Sequence, residues 1–441
     1  MAKSIEDYPV TGFVWLITLM CAGTAFLDGF NMVVSSVAMA LFTPEIGFSA
    51  TDMGLFASLY SIGVFIGAMF GGKIGDVLGR TVIFRLAPIL ITLASVGLFF
   101  TSEPMILIGA RFFIGFCIGA DYPGASTIVA EYTPGKFRSK SLVILMFAWY
   151  AGALFGSLVG FFFYETPGIW HFLLLTPAIP GVIFAIGRTR IPDTPLWFVS
   201  KGRTEDADKA LKRVFGSIGS VDGLPQAAQA AGDAPNMTLM SAFKAGYLKR
   251  FVFVTAFWIC QIIPVTCVFM FGPTIVASFG LDQGNLSVLG TAALYVFIMI
   301  GVLPAMLWIN KMKRRTAVIG TYVVMTIALL ALGFFADADP VFIIVIFAFY
   351  AFAYGLQSVF DNIYPPELFP TEVRSTAIGT ITSVSKLAAA IGSFLFPIGL
   401  ASMGLGPVVI IGGVISGIGL LISILYAPET QGMTLEESSS L

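Results

Sequence analysis

Residues 361–386 read DNIYPPELFPTEVRSTAIGTITSVSK, and they hold three signals in one hydrophobic hairpin. Asp361 is an acid within an apolar run, Glu367, Pro370 and Arg374 make a charged turn, and Lys386 is a lone base within the next apolar run. An ionisable group at membrane depth costs about 3 kcal/mol or more unless it is paired or hydrated, so such a group marks function by default. The turn recurs. Residues 131–139, EYTPGKFRS, and 367–375, ELFPTEVRS, share the pattern E-x-x-P-x-x-x-R-S at a displacement of 236 residues. The same displacement carries Pro192-Asp193-Thr194 onto Pro428-Glu429-Thr430, so the chain reads as two copies of one design.

Composition sets the solvent. The 441 residues are 57% hydrophobic and 11% charged, with a mean hydropathy of +0.92, whereas soluble domains are about a quarter charged. The expected fold is an all-α membrane protein, because backbone groups in lipid must be satisfied inside helices and each span takes about 20 apolar residues. Twelve spans are expected near 13–40, 53–73, 82–101, 104–130, 141–163, 169–188, 251–278, 286–309, 317–336, 340–364, 376–401 and 407–427. Of the 24 Lys and Arg, 22 fall in or beside alternate connections and the termini that share their side; Arg111 and Lys386 are the two placed inside spans. The positive-inside bias makes those connections and both termini cytoplasmic, in a cell membrane. The opposite loops carry Glu45, Asp52, Glu103, Glu165, Asp282, Asp337 and Asp339 and no base. The first apolar run is too long for a cleaved signal and reads as a span. The expected layout is a six-helix bundle over 1–190, a cytoplasmic linker over 191–247 and a second bundle over 248–441.

Other chemistry finds little footing. Cys21, Cys117, Cys260 and Cys267 lie in apolar runs without C-x-x-C spacing and read as packing residues. The one histidine, His171, follows Trp170 at a span boundary and reads as an interfacial anchor. No nucleophile with its base, metal-ligand cluster or G-x-x-x-x-G-K-[ST] loop occurs, so neither an enzyme, a cofactor nor a nucleic-acid partner is expected.

Along the chain, Asp28 and Asn31 are three residues apart and share a helix face. Arg111 and Asp121 share the fourth span but lie ten residues apart, about 15 Å of helix, so each needs another partner. Asp28 is the expected partner of Arg111, which leaves Asp121 as the expected proton carrier. Gly115 and Gly119 would admit a close neighbouring helix. In the linker, Thr204 with Glu205 and Asp206 reads as a helix start, and Ala207, Ala210, Leu211, Val214 and Phe215 make an apolar stripe; residues 222–235 read as flexible. Pro264 in the seventh span loosens that helix beside Gln261 and Trp258, which can offer hydrogen bonds to a solute.

Residues 72–80, with the pattern G-x-x-x-D-x-x-G-R ending in Asp76, Gly79 and Arg80, resemble the signature of the major facilitator superfamily; the second copy has Asn310 in the place of the acid. Two branches are similar over nearly the whole chain. The repeated E-x-x-P turns, residues 192–197 PDTPLW with Lys201-Gly202-Arg203, and residues 428–432 PETQG resemble the sugar porters. Span seven departs from them, with Gln261-Ile262 in place of Gln-Gln and Cys267 in place of a downstream amide, and Asn31 stands where their first-span acid is found. Residues 119–123, GADYP, and the Ser385-Lys386-Leu387 context resemble the phosphate:proton symporters. That resemblance implies a proton site at Asp121, anion contacts at Tyr122 and Lys386 and a site tryptophan at Trp258; Tyr150, Ile262 and Thr266 replace a glutamine, an aspartate and a tyrosine of that branch.

The expected function is secondary active transport by alternating access: proton-coupled symport of a small polar, anionic solute such as phosphate or an organic acid. The alternatives are a sugar or polyol carrier and, in another class, a transporter-like receptor. Asp28, Asp121 and Arg111 are the expected proton-coupling residues. Lys386, Tyr122, Gln261, Trp258, Asn31, Tyr150, Asp361 and Gln357 are the expected solute contacts. Asp76, Arg80, Glu131, Arg138, Glu367 and Arg374 are the expected cytoplasmic gate. Solute, protons and the lipid bilayer are the expected partners, with the monomer as the working unit. Lys386 stands about 18 Å of helix beyond Arg374, too deep to snorkel, with Asp361 as the nearest group able to balance it.

Overall fold

The computed structural model describes residues 5–164, 166, 168–224, 247–280, 285–308, 311–369 and 371–433. Twelve spans are long and apolar enough to cross a membrane, and among the described residues there is no strand. The chain is a multi-pass, all-α membrane protein. In order the helices are α1 (Gly12–Ile46), α2 (Ala50–Leu78), α3 (Arg80–Phe99), α4 (Pro104–Tyr132), α5 (Gly135–Phe163), α6 (Trp170–Leu175), α7 (Ala178–Arg188), α8 (Pro195–Ser200) and α9 (Thr204–Phe215). There follow α10 (Leu248–Ser278), α11 (Leu286–Trp308), α12 (Arg314–Phe334), α13 (Pro340–Glu367), α14 (Thr371–Met403) and α15 (Leu405–Tyr426).

Two expectations about helix continuity change. The sixth span is two helices, α6 and α7, because Thr176 and Pro177 interrupt it and a proline cannot donate to the carbonyl one turn back. In the seventh span the backbone stays helical at Pro264, and the non-helical residue is Phe271, at φ −127° and ψ 21°, two positions before Pro273. The second proline, not the first, marks the kink. Glu165, Asp282, Asn310 and most of 222–235 lie outside the described residues, as does the side chain of Arg374.

The chain divides into two compact units. The first comprises Met1–Val34, Ile62–Gly156 and Trp170–Ala234; the second comprises Ser35–Ser61, Ser157–Ile169 and Pro235–Leu441. In the first unit α2 and α4 pack backbone to backbone. A Cβ on Gly119 would lie 2.1 Å from the Val64 carbonyl oxygen, and one on Gly67 would lie 2.1 Å from that of Phe116, so only glycine permits this approach. The second unit repeats it between α11 and α13, where a Cβ on Gly355 would lie 2.1 Å from the Ile298 carbonyl oxygen. Gly119 and Gly355 are 236 residues apart, the displacement of the turn motif.

The amphipathic helix expected in the linker is α9. Its stripe, Ala207, Ala210, Leu211, Val214 and Phe215, is buried, and Leu211, Val214 and Phe215 join a core with Ile5, Tyr8, Val14 and Phe84. Each large side chain so buried contributes about 1.5–3 kcal/mol. The opposite face carries charge pairs, Lys212 with Asp208 at 2.5 Å and Arg203 with Asp206 at 2.8 Å. The hydrogen bond from Arg203 holds the Asp206 carboxyl below its usual range.

Candidate functional site

The first unit buries four charged side chains, Asp28, Arg111, Asp121 and Arg188. Asp121 on α4 accepts from Arg188 at the end of α7 at 2.7 Å and from the Thr24 hydroxyl on α1 at 2.7 Å. Arg188 also donates to the Phe84 carbonyl at 2.6 Å, to the Thr24 hydroxyl at 2.8 Å and to the Met20 carbonyl at 3.3 Å, and its guanidinium lies 4.0 Å over the Phe84 ring. One fully buried arginine thus ties together α1, α3, α4 and α7. Its neighbours Thr189 and Arg190 are exposed, and by sequence Arg188 belonged with them in the cytoplasmic basic cluster. The clue that could have found it was Asp121, which lacked a partner within reach on its own helix.

One turn further along α1 lies a second set. Asp28 Oδ2 accepts from the Tyr122 hydroxyl at 2.7 Å and from Trp149 Nε1 at 3.0 Å. Arg111 donates to Asn31 Oδ1 at 2.8 Å. The shared face of Asp28 and Asn31 thus receives Tyr122 and Arg111 from α4, with a hydrogen bond of Arg111 going to Asn31 where Asp28 was expected. Tyr150 is buried against the Trp149 ring at 5.4 Å, but it is Trp149, unremarked in the sequence, that reaches the acid.

In the second unit the amide nitrogen of Gln261 on α10 donates to Asp361 on α13. Lys386 on α14 is half-buried, and among the described residues no ion pair joins it to Asp361. Gln357, one turn before Asp361, is fully buried and accepts from the Thr321 hydroxyl at 2.7 Å. Trp258 lies on α10 three residues before Gln261, with its Nε1 buried.

The repeated turns end in matching ties. Asp193 accepts from the backbone N–H groups of Arg80 and Thr81 at 2.9 and 3.4 Å and from the Thr81 hydroxyl at 3.0 Å, satisfying the first free donors of α3. Gly79 precedes them at φ +114°, where a Cβ would lie 2.2 Å from Asp193 Oδ2. In the second unit Glu429 accepts from the N–H groups of Arg314 and Arg315 at 2.8 and 3.3 Å. Of the expected gate residues, Arg80 pairs with Asp76 at 2.7 Å, Arg138 with Glu6 at 2.7 Å and Glu367 with Arg314 at 3.3 Å, while Glu131 accepts from the Leu196 N–H at 3.1 Å.

The model of the sugar (and other) transporter family matches residues 15–441. The chain belongs to this family. It is a secondary transporter of the major facilitator superfamily, similar to sugar porters. Over the whole chain, and 98% of its counterpart, this transporter is 34% identical to YaaU of Escherichia coli (strain K12), whose name assigns it only to metabolite transport. It is 25% identical to the major myo-inositol transporter IolT of Bacillus subtilis (strain 168), over 96% of this chain and 93% of that one. The inward open xylose transporter XylE from E. coli has the same fold, with a TM-score of 0.80 at 20% identity, covering 97% and 99% of the two chains.

Proposed function

We propose that this transporter moves a neutral polyhydroxylated solute, a sugar or polyol, together with a proton. The observation that carries the reading is the balance of embedded charge in the first unit. Asp28 and Asp121 are buried there with Arg111 and Arg188. The anionic solute expected from Lys386 rested on the Ser385-Lys386-Leu387 resemblance and on taking that lysine to face the solute. An anion would add a charge to a first unit whose buried acids and bases already match two for two. The family match and the similarity to a myo-inositol transporter support the same side of the choice.

Within this reading Asp28 replaces Asp121 as proton carrier. Asp121 is locked to a buried guanidinium, and removing its charge would strand Arg188. Asp28 accepts from Tyr122 and Trp149, and Tyr122 also stands among the proposed solute contacts. Asn31, Tyr150, Trp258, Gln261, Gln357 and Asp361 are the other proposed contacts, and Arg111 orients the first-unit set through Asn31. Asp76, Arg80, Glu131, Arg138, Glu367 and Arg374 are proposed to close the cytoplasmic face, with both termini on that side. The copies 1–190 and 248–441 are proposed as the two moving bodies, joined by 191–247.

Proteoliposomes with an imposed inward proton gradient test the reading. Uptake of labelled myo-inositol, D-glucose or D-xylose, abolished by a protonophore, is the expected result. Uptake of phosphate or an organic acid with no response to any of the three polyols would overturn it.

A further inference from the structure

Gln261 is buried, with 4% of its surface exposed, and its Nε2 donates to Oδ1 of Asp361. The Oδ1 acceptor draws the amide nitrogen toward Asp361, which turns the amide oxygen away. That oxygen, Oε1, is buried and has no hydrogen-bond partner among the described residues. One turn earlier on the same face of α10, Trp258 Nε1 is also buried and also without a partner among them. Buried polar groups are paired in nearly all native structures, and exceptions call for an explanation. Here the two orphans are an acceptor and a donor, on one helix face, beside the proposed solute contacts.

Together they match a hydroxyl, which donates and accepts at once. A phosphate or carboxylate oxygen could take the hydrogen of Trp258 but has none to give Gln261 Oε1. We infer that Asp361 is a specificity-determining positioning residue: by engaging the nitrogen of Gln261 it presents Oε1 to the solute, so that the second unit reads a hydroxyl as a hydrogen-bond donor. The inference rests on the polyol reading above and narrows it. Among the described residues Lys386 makes no ion pair with Asp361, which leaves the Gln261 contact intact.

Replacing one solute hydroxyl at a time by fluorine isolates this property, because fluorine keeps a weak acceptor and loses the donor. The full chain, in lipid nanodiscs, is titrated with myo-inositol, D-glucose and D-xylose, and then with the monofluorinated forms of whichever of these bind. In the wild type one fluorinated position loses about tenfold or more in affinity, since a site built around a hydroxyl hydrogen rejects the analogue lacking it. Asp361→Asn, whose amide can either give or accept, lets Gln261 turn over, and the penalty at that position falls to about twofold or less. Asp361→Glu keeps acceptor-only chemistry and keeps the penalty. Gln261→Met removes Oε1 without adding charge and abolishes the penalty, which covers the case of Asp361→Asn failing to fold. The ratio between parent and fluorinated solute is unmoved by a general loss of stability. Equal affinity for all fluorinated forms in the wild type, or an undiminished penalty in Asp361→Asn or Gln261→Met, overturns the inference while leaving polyol transport standing. No binding of any parent polyol overturns both.

Discussion

Arg188 shows how much one side chain can organise. A guanidinium with no solvent contact makes bonds to two carbonyls, a hydroxyl and a carboxylate on three other helices. Removing one partner of a buried pair strands the other charge, which costs about 3–5 kcal/mol, whereas removing both charges together is far milder. Arg188→Met should therefore lower the melting temperature of the purified protein sharply, and Asp121→Asn in the same chain should recover a large part of the loss. A double variant no more stable than Arg188→Met alone would show that the arginine acts through its carbonyl bonds and packing on Phe84, not through Asp121. Thr24→Val removes one neutral hydroxyl bridge and should cost less, about 1–3 kcal/mol by the same melting experiment.

At the scale of elements, glycines and caps set the packing. A Cβ at Gly119 or Gly355 would meet backbone oxygen at 2.1 Å, and backbone cannot swing aside as a side chain can. Gly119→Val and Gly355→Val should each force their helix pairs apart, at about 1–3 kcal/mol or more; size-exclusion profiles and melting temperatures measure it, and a native profile for either would refute the close approach. Asp193→Ala leaves the first N–H groups of α3 without their acceptor, a loss of about 0.5–2 kcal/mol on the scale of helix caps. Leu211→Ala on α9 should cost about 2–5 kcal/mol locally and speed protease cleavage of the linker relative to the spans. Unchanged cleavage would mean that Val214 and Phe215 hold the helix by themselves.

For the whole molecule the relevant quantity is coupling. With Asp28 as proton carrier, Asp28→Asn should abolish accumulation of solute against its gradient while sparing exchange of labelled for unlabelled solute at equal pH. The matched variant Asp121→Asn should chiefly lose stability, since it strands Arg188. Accumulation retained in Asp28→Asn and lost from well-folded Asp121→Asn would return the proton to Asp121, as the GADYP resemblance implied.

Hydropathy and repeat spacing carried the architecture. Twelve apolar runs of span length, the 236-residue displacement and the stripe of α9 were legible because lipid demands helices and because period and length are properties of a linear sequence. Local spacing likewise placed Asp28 with Asn31 and Gln261 with Trp258. Pairing across helices was not legible. Arg188 looked like one more cytoplasmic base, Trp149 drew no notice, and Pro264 looked like the break in span seven. Each error has one cause: a side chain's charge state, partner and depth depend on which other helix lies within about 3 Å of it, and hydrogen bonds fall away beyond that distance. Only the folded bundle brings α7 to α4 and α13 to α10, and those contacts join Arg188 to Asp121 and Gln261 to Asp361.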